Sequence, residues 1–472
     1  MTTTAPARSA AERLPTQLVI DGERVDAAAG KTFPVVNPAT EAVIAEVAEG
    51  DATDADRAVR SARETFESDA WRRISARQRG EMLYRLGELC LAHKDELARL
   101  ETLNNGKPVF ESAIDVTLAA ETFKYYGGWA DKLHGETVPV DGPYFTYTLR
   151  EPLGVVAAIV PWNFPLSLAA WKIGPALACG NTIVVKPAEL TPFTAIRVAE
   201  LALEAGFPPG AVNCVPGKGT VVGAALVRHR EVDKVAFTGS TEVGAEIMRE
   251  AAGTVKKLSL ELGGKSPNIV FADADLDAAA RGALIGIFYG KGEVCAAGSR
   301  LLVEESVRDA LQEKLLARAA RMVAGDPLDP KTRLGALVSR TQMERVLGYI
   351  ERGRREGATL LTGGQRTPVN GKGYFVAPTI FGDVTPEMTI AREEVFGPVL
   401  AMMTFRDGEA GAVALANDTI YGLAAGIWTR DVKKALRTAR AVRAGTVWIN
   451  TYNMYDAAAP FGGFKQSGFG RE

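Results

Sequence analysis

A chain of 472 residues is too long for a single hydrophobic core, so its length predicts two or three domains. The hydrophobic content of 47% and the charged content of 24% are those of an ordinary soluble protein. The formal net charge of −2 excludes a basic field that would attract nucleic acid or a membrane surface.

The residues that most often bind metals or form disulfides are scattered along the chain. No C-x-x-C pair and no histidine cluster occurs, so the sequence predicts no disulfide framework, no metal site and no histidine-based triad. Isolated thiols fit a reducing cytoplasm, which is the predicted location. These residues are Cys90, Cys179, Cys214, Cys295, His93, His134 and His229.

The N-terminal segment is rich in Thr, Ala and Arg and has no apolar run. It does not form a signal peptide, and residues 1–17 are predicted to be a flexible arm, with a short transit peptide as the alternative. No stretch of eighteen apolar residues occurs in the chain, so no membrane span is predicted.

The chain then begins with a mixed segment. Two short strands are predicted around the Asp-Gly turn of residues 18–25, and another strand after the turn at 35–40. Apolar residues recur at helical spacing over 54–67 and 75–105, and Gly106-Lys-Pro108 closes the helical run. Residues 135–150 form a β-rich excursion.

From residue 155 onwards, short apolar runs alternate with helical patterns. Such alternation predicts α/β architecture with parallel, doubly wound sheets, which bind ligands at the carboxyl ends of their strands. A Gly263-Gly264 pair marks a boundary between two such units. Strands are predicted at 155–160, 182–186, 212–215, 234–238, 257–261, 268–271, 300–303, 399–404, 427–429 and 447–449. Helices are predicted at 166–178, 192–205, 219–227, 242–252, 276–289, 307–324 and 339–356.

Cys295 is the candidate nucleophile. It lies among small residues in the stretch 292–300, which leaves its sulfur approachable. A thiolate is the strongest ordinary side-chain nucleophile near neutral pH when its pKa is lowered or a base is near. The alternative is a buried cysteine that serves as a small hydrophobic residue.

Three turns at strand ends carry candidate binding groups. Residues 237–244 offer helix N-terminal amides and the hydroxyls of Ser240 and Thr241 to a phosphate, although the spacing is not G-x-G-x-x-G. Gly217-Lys-Gly219 with Gly223 is one residue too long for the same fingerprint, and the alternative for both turns is a plain tight turn. Lys186 and Glu189 could hold ribose hydroxyls or form an exposed charge pair.

Two polar side chains sit in otherwise apolar strand ends. Asn163, within Pro161–Pro165, could donate to a developing oxyanion or form an Asx turn. Glu261 could be a general base whose pKa is raised by burial, or a salt-bridged strand-end residue. The aromatic and glycine-rich loops 393–398 and 460–470 could close on a flat ligand or simply pack on the surface.

The order and spacing of these motifs resemble those of the aldehyde dehydrogenase superfamily, of the NAD(P)-dependent, hydrolytic type that does not acylate coenzyme A. The resemblance extends from about Leu18 to the last residue. It implies that Cys295 attacks the aldehyde carbon, that Asn163 and the backbone amide of Cys295 hold the oxyanion, and that hydride transfer to the nicotinamide leaves a thioester. Glu261 would activate the water that hydrolyses the thioester to a free acid.

The resemblance also implies a set of coenzyme contacts. Lys186 and Glu189 match residues at the adenosine ribose, where a carboxylate repels a 2′-phosphate, so NAD is expected rather than NADP. The implied cofactor-binding residues are Ile159, Pro161, Trp162, Lys186, Glu189, Gly219, Gly223, Phe237, Thr238, Gly239, Ser240, Leu262, Gln342, Glu394 and Phe396.

The implied substrate tunnel is aromatic and uncharged. It suits a medium-sized apolar or aromatic aldehyde, or an amino-aldehyde held over rings, and it argues against a substrate with a free carboxylate. The tunnel residues are Phe164, Leu168, Trp171, Tyr289, Val294, Ala296, Tyr455 and Phe461.

The expected architecture has two doubly wound α/β domains, a Rossmann-like cofactor domain and a catalytic domain, with a small β bridging element for oligomerisation. Residues 1–129 and 153–263 would form the cofactor domain, 130–152 the bridging element and 264–464 the catalytic domain. In the C-terminal segment 465–472, the family's usual oligomerisation strand is missing, so a homodimer or homotetramer is expected with a weakened contact.

One motif residue departs from the family. Glu293 occupies a position that is usually Gln, and a carboxylate near Cys295 would raise the pKa of the thiol if it pointed inward. We expect it to point away. Two alternatives to the dehydrogenase remain: a catalytically silent binding protein with this fold, and a cysteine esterase or thioesterase.

Overall fold

The computed structural model describes residues 14–472. The predicted arm 1–17 falls mostly on residues 1–13, outside the described part of the chain. The carbonyl of Thr16 accepts a hydrogen bond of 2.8 Å from the amide of Ala48, so the end of the predicted arm is attached to the fold.

The strands are short, and most of them lie in two large sheets. Their bounds are β1 Leu18–Ile20, β2 Glu23–Val25, β3 Thr32–Asn37, β4 Ala42–Ala48, β5 Thr137–Val138, β6 Thr146–Tyr147, β7 Val155–Ile159, β8 Thr182–Lys186, β9 Val212–Cys214, β10 Lys234–Thr238, β11 Lys257–Glu261, β12 Pro267–Val270, β13 Arg300–Glu304, β14 Thr359–Thr362, β15 Thr379–Gly382, β16 Val399–Phe405, β17 Ala424–Trp428, β18 Thr446–Ile449 and β19 Gly468–Phe469.

The helices connect these strands and cover the sheets. Their bounds are α1 Ala52–Glu67, α2 Asp69–Arg72, α3 Ala76–Ala92, α4 Lys94–Asn105, α5 Val109–Trp129, α6 Pro165–Ala178, α7 Phe193–Glu204, α8 Ala224–Arg228, α9 Thr241–Ala251, α10 Leu276–Phe288, α11 Arg308–Ala319, α12 Arg340–Arg355, α13 Thr389–Arg392, α14 Gly408–Asn417 and α15 Val432–Ala441. A π turn occupies Gly219–Gly223, and 3₁₀ turns occupy Ala252–Thr254, Tyr289–Gly292, Glu305–Val307 and Lys465–Ser467.

The first sheet has the order β19-β11-β10-β7-β8-β9-β1-β2. Strands β7 to β11 run parallel, whereas β1 and β19 pair antiparallel at the two sides. Every residue of β7 and β8 is buried, as expected for strands that are covered by helices on both faces.

The second sheet has the order β14-β15-β16-β13-β12-β17-β18 and is parallel except for β14. The chain passes from the first sheet to the second between the end of β11 and the start of β12, around Gly263 and Gly264. The predicted α/β fold with parallel, helix-covered sheets is therefore confirmed.

Some predicted elements differ from the structure. The helix predicted over 75–105 is two helices that meet at His93, whose non-helical backbone ends α3 and precedes α4. The predicted helix 219–227 begins as a π turn and becomes α8 only at Ala224. The predicted helix 307–324 ends at Ala319.

The sequence pattern does not predict helix α5, because Gly106-Lys-Pro108 indicates the end of a helical run. In the structure Pro108 immediately precedes α5, and a proline is well tolerated at a helix start because the first amides have no intrahelical acceptor. Helix α5 packs against α3, α4 and α6. Helix α6 in turn contacts β7 and β8, so α5 packs on the helices that cover the first sheet.

The C-terminal segment joins the first sheet. Strand β19 pairs with β11, with Gly468 opposite Glu261 and Phe469 opposite Leu260. The last residues thus lie beside the strand end that carries the predicted general base. Among the helices of the described residues, none has the length and apolar character needed to cross a membrane.

Candidate active site

Cys295 and Glu261 face one cavity of about 550 Å³. A cavity of this size suits a small-molecule ligand, since such sites usually measure about 300–1,000 Å³. Most of the predicted tunnel residues line it, namely Phe164, Leu168, Trp171, Tyr289, Val294, Tyr455 and Phe461.

Ala296 is the predicted tunnel residue that does not line this cavity. Its side chain is fully buried and packs in the hydrophobic core of the second sheet rather than on the cavity wall. The two neighbours of Cys295 in sequence therefore play different parts, with Val294 on the wall and Ala296 behind it.

The cavity wall also contains residues that the sequence did not point to. Ile114, Leu118 and Thr122 of α5 form one side of it. Their four-residue spacing is the helical signal that could have revealed this face. Of the charged side chains on the wall, Glu121, Arg281 and Asp456 are exposed, whereas Asp115 and Glu261 are buried. The tunnel, which was expected to be uncharged, is thus mainly aromatic and apolar inside but contains two buried acidic side chains, and its rim is mixed in charge.

The loop that carries Cys295 lies close to the Gly263-Gly264 turn. A Cβ atom at Gly264 would lie 2.3 Å from the carbonyl oxygen of Cys295, so only glycine leaves room for this approach. Cys295 itself is partly exposed. Burial, together with the carboxylates of Glu394 and Glu261, raises the pKa of the Cys295 thiol to about 12.

Asn163 follows β7 and is buried. Its side-chain Nδ2 donates a hydrogen bond of 3.0 Å to the carbonyl oxygen of Glu293, two residues before the cysteine. The side chain therefore reaches across to the nucleophile loop instead of bonding to its own turn. One N–H of the amide remains for a substrate oxygen.

Glu261 ends β11 and is only 3% exposed, and neither of its carboxylate oxygens has a hydrogen-bond partner among the described residues. The alternative of a salt-bridged glutamate is therefore not what the structure shows. Burial, reinforced by the nearby Glu472 carboxylate, raises the pKa of Glu261 to about 9, while Lys172 and Arg471 oppose this rise. A carboxylate without partners is free to bond a water molecule.

Behind Glu261 lies a buried ion pair that sequence reasoning missed. Lys172 Nζ lies 2.6 Å from Glu472 Oε2 and donates a hydrogen bond of 2.8 Å to Thr238 Oγ1. The two partners of the pair are 300 residues apart in sequence, and no local pattern connects them.

The predicted ribose contacts lie at the carboxyl end of β8. Lys186 Nζ and Glu189 Oε2 are 3.2 Å apart, and Glu189 Oε1 accepts a hydrogen bond of 2.7 Å from the amide of Gly219. A Cβ atom at Gly219 would make ordinary van der Waals contact with Lys186 Nζ at 3.8 Å, and one at Gly223 would do so with Ile159 Cδ1 at 3.9 Å. The structure thus places Lys186, Glu189 and Gly219 next to one another, as the ribose hypothesis requires.

The predicted phosphate turn follows β10. Ser240 caps α9, and its hydroxyl accepts a hydrogen bond of 3.3 Å from the amide of Val243, while Thr241 donates to the carbonyl of Gln466. The Thr241 hydroxyl is thus used on the C-terminal segment, whereas the Ser240 hydroxyl keeps its own O–H as a donor. A pyrophosphate would meet the Ser240 hydroxyl and the helix N-terminal amides. Leu262 packs so closely that a Cβ atom at Gly244 would lie 2.5 Å from it.

The predicted nicotinamide-side residues converge near Cys295. Glu394 Oε1 accepts a hydrogen bond of 2.9 Å from Gly264 N, and burial raises the pKa of Glu394 to about 7. Phe396 adopts a left-handed backbone (φ 59°), and its carbonyl accepts a bond of 2.7 Å from Gln342 Nε2. Trp162 packs edge-on against the Phe396 ring at 5.2 Å.

The carboxylate of Glu293 points away from the thiol, as expected. Its Oε1 accepts a hydrogen bond of 3.0 Å from the amide of Val338, and its Oε2 lies 2.9 Å from Lys291 Nζ. The carboxylates that raise the pKa of Cys295 are those of Glu394 and Glu261 instead.

Comparisons with known proteins agree with this geometry. The family model described as "Aldehyde dehydrogenase family" matches residues 25–472. The human protein named "Aldehyde dehydrogenase, mitochondrial" is 51% identical over 460 residues, covering 97% of this chain and 88% of that protein.

Two solved structures of aldehyde dehydrogenases are also similar to this chain in sequence and in fold. An NAD⁺ complex of an aldehyde dehydrogenase from Bacillus cereus is 48% identical and superposes with a TM-score of 0.96, covering 99% of this chain and 96% of that one. A cysteine-to-alanine variant of an indole-3-acetaldehyde dehydrogenase from P. syringae, in complex with NAD⁺ and IAA, is 48% identical with a TM-score of 0.96, covering 98% and 93%.

Proposed function

Because the chain belongs to the aldehyde dehydrogenase family, we propose that it oxidises a medium-sized apolar, aromatic or amino-aldehyde to the carboxylic acid with NAD⁺. The observation that carries this proposal is that Cys295 and the unpartnered carboxyl of Glu261 face the same cavity. A nucleophile and a base for water are the two groups that such an oxidation needs.

In the proposed mechanism the Cys295 thiol releases its proton to water in the cavity, and its sulfur forms a bond with the aldehyde carbon. The oxygen that becomes negative is held by the free N–H of Asn163 and the backbone amide of Cys295. NAD⁺ held by the predicted cofactor contacts would supply the acceptor for the hydride of that carbon. A water molecule attacks the thioester that remains on Cys295 and gives one proton to Glu261. The bond between carbon and sulfur breaks, Glu261 passes the proton to the sulfur, and the acid and the free thiol are released.

The substrate class follows from the cavity wall. Its interior is formed by the rings of Phe164, Trp171, Tyr289, Tyr455 and Phe461. These rings favour apolar groups by burial and cations by their π faces. The relative from P. syringae is named for an aromatic aldehyde, which supports the aromatic part of the class.

NAD is the proposed coenzyme, with NADP as the weaker alternative. The Glu189 carboxylate lies beside the predicted ribose position, and its negative charge would repel a 2′-phosphate. The remaining predicted cofactor contacts are proposed unchanged. Most of them lie at or just after the carboxyl ends of β7, β8, β10 and β11, where parallel sheets bind ligands.

Self-association and a cytoplasmic location complete the proposal. The segment around β5 and β6 exposes several large apolar side chains, among them Tyr144, Phe145, Tyr147 and Leu149. Exposed apolar patches of this kind mark interaction sites, so a homodimer or homotetramer is proposed. Light scattering of Phe145→Asp should report a lower mass than that of the wild type.

The test of the function is NADH formation across aliphatic, aromatic and amino-aldehydes, with NAD⁺ and NADP⁺ compared. Cys295→Ala should abolish oxidation and leave NAD⁺ binding intact, while Cys179→Ala, which removes an exposed thiol, should stay active. Turnover by Cys295→Ala would contradict the mechanism. NAD⁺ binding with no turnover would favour a silent binding protein, and ester hydrolysis without NAD⁺ and without aldehyde oxidation would favour an esterase.

A further inference from the structure

Lys291, in the loop that leads to Cys295, has two energetically unfavourable features, a buried ammonium and a left-handed backbone. Its side chain is 1% exposed, so its ammonium is removed from water. Its backbone is left-handed (φ 61°), directly after the left-handed Gly290 (φ 56°). A residue with a side chain seldom adopts this conformation, and it persists only where surrounding contacts hold it.

The ammonium of Lys291 is held by groups from two different segments. It donates to Asn105 Oδ1 at 2.5 Å and to the carbonyl oxygen of Asn105 at 3.1 Å, at the end of α4. It also lies 2.9 Å from Glu293 Oε2, two residues further along its own loop. Apart from this contact, Glu293 Oε2 has no hydrogen-bond partner among the described residues.

These contacts continue to the turn that carries Asn163. The side-chain Nδ2 of Asn105 donates to the carbonyl oxygens of Trp162, at 2.8 Å, and Asn163, at 3.4 Å. Asn163 Nδ2 in turn donates to the carbonyl oxygen of Glu293 at 3.0 Å. The contacts therefore form a closed ring from Lys291 through Asn105, Asn163 and Glu293 back to Lys291.

A further bond attaches the ring to the start of α12. Glu293 Oε1 accepts a hydrogen bond from the amide of Val338, directly before the residue that caps α12. The Glu293 carboxylate is thus shared between a neutral amide and the Lys291 ammonium. Its charge is balanced within the ring by Lys291.

We propose that Lys291 is a positioning residue, whose ion pair with Glu293 and bonds to Asn105 fix the Cys295 loop against the turn that carries Asn163. The inference rests on the proposed function for the roles of Cys295 and Asn163. It assigns Lys291 no contact with substrate or coenzyme. A displacement of about 1 Å in such a site can cost roughly 10²-fold in rate.

The first test compares Lys291→Met with the double variant Lys291→Gln/Glu293→Gln. The methionine leaves Glu293 buried without its cation. In the double variant, the amide oxygen that replaces the Glu293 carboxylate can still accept from Val338, and the two introduced amides can bond each other. With benzaldehyde and NAD⁺, the pre-steady-state NADH burst of Lys291→Met should slow about 10–100-fold, and the double variant should recover most of this loss.

The shape of the kinetic defect separates positioning from general unfolding. The burst amplitude per folded protein and the KM for NAD⁺ should stay near the wild-type values, because only the alignment of Cys295 and Asn163 changes. The NADH burst of Glu293→Gln alone should slow less than that of Lys291→Met. If Lys291→Met does not fold, the burst rate of Glu293→Gln tests the inference in its place. Lys434→Met, which removes a lysine paired with Asp273 elsewhere, is the control and should keep the wild-type burst rate.

A second measurement does not depend on activity. Hydrogen exchange in Lys291→Met should speed up in both segments of the ring, at residues 288–296 and 161–166, and not in Lys434→Met. Unchanged exchange in both segments, or a wild-type burst rate, would overturn the inference. Absence of NADH formation by the wild type would instead contradict the proposed function, and the exchange result would still decide the role of Lys291.

Discussion

Glu189 accepts a hydrogen bond of 2.7 Å from the backbone amide of Gly219 and pairs with the buried Lys186. Burial by itself would raise the pKa of Glu189, but the Lys186 ammonium and the amide bonds outweigh it and hold that pKa below its usual range. The side chain therefore carries a negative charge at neutral pH. Its position is fixed by both partners, so under the proposed function its charge would oppose the 2′-phosphate of NADP and favour NAD.

Replacing Glu189 should weaken that discrimination. Glu189→Gln removes the charge that would repel a 2′-phosphate and leaves Lys186 free to attract one. The ratio of kcat/KM for NADP⁺ to that for NAD⁺ should rise about tenfold or more. Glu204→Gln, on the exposed end of α7, is the control and should leave the ratio unchanged. An unaltered ratio in Glu189→Gln would show that the ribose lies elsewhere.

The thiol of Cys295 should react slowly at neutral pH in the absence of coenzyme. Its pKa is raised to about 12 by burial and by the carboxylates of Glu394 and Glu261, so little thiolate is present. Glu394 has its own pKa raised to about 7 and therefore carries its charge mainly above that pH. Glu394→Gln should lower the pKa of the thiol and speed its alkylation above pH 7, by roughly tenfold for each unit of pKa.

Iodoacetamide labelling followed by mass spectrometry measures this reactivity. A Cys179→Ala background removes the exposed thiol, and Cys90 and Cys214 are buried, so Cys295 is the accessible cysteine that remains. The difference between Glu394→Gln and its parent should widen from pH 6 to pH 8 as Glu394 ionises. Equal rates at every pH would mean that the carboxylate does not act on the thiol.

Asn163→Ala should impair formation of the thioester. The substitution removes the N–H that is available to the developing oxyanion, and the loss of one such donor typically costs about 10²–10³-fold in rate. The NADH burst should therefore slow by that factor while NAD⁺ binding persists. Asn163→Asp, which keeps the shape and adds a negative charge, should be at least as slow. A burst at the wild-type rate in both variants would remove Asn163 from the mechanism.

Much of the fold was predictable because its parallel strands are short apolar or alternating segments that regularly alternate with helical patterns. The predicted bounds of β8, β10 and β11 coincide with the observed ones. Helix α5 was missed because Pro108 can either end one helix or precede the next, and the local pattern does not decide between them. The position of Ala296 behind the cavity wall could not be predicted, because adjacency in sequence does not fix the direction of a side chain in an irregular loop.

The site was predictable only in part for a different reason. Cys295, Glu261 and Asn163 each stand out as unusual residues in their segments, and motif order could group them. Two further contacts, Lys172 with Glu472 and Lys291 with Asn105, form only through the packing of distant segments. From sequence alone, Lys172, Lys291 and Glu472 would be expected to be exposed surface charges. Only the structure shows that they are buried.

Glu261→Gln should separate the two halves of the reaction. Thioester formation does not need this carboxyl, so the NADH burst should persist with its full amplitude. The hydrolysis that follows needs a base, and its loss should lower steady-state turnover by about 10²–10⁴-fold. Burst and steady-state rates from one stopped-flow trace measure both steps. If the two phases fall together, or neither falls, Glu261 is not the base for hydrolysis.

The steady-state rate should rise with pH, because hydrolysis depends on the ionised form of Glu261. Only ionised Glu261 can accept a proton, and its pKa is raised to about 9 by burial, so hydrolysis should accelerate as the pH rises towards 9. The carboxylate of Glu472 contributes to that rise in pKa, whereas Lys172 opposes it. Glu472→Gln removes a carboxylate that raises the pKa of Glu261 and leaves the Lys172 ammonium unpaired, which lowers that pKa further. The pH profile of steady-state turnover should therefore move to lower pH. A profile that stays in place or moves to higher pH would show that the buried pair does not set the ionisation of Glu261.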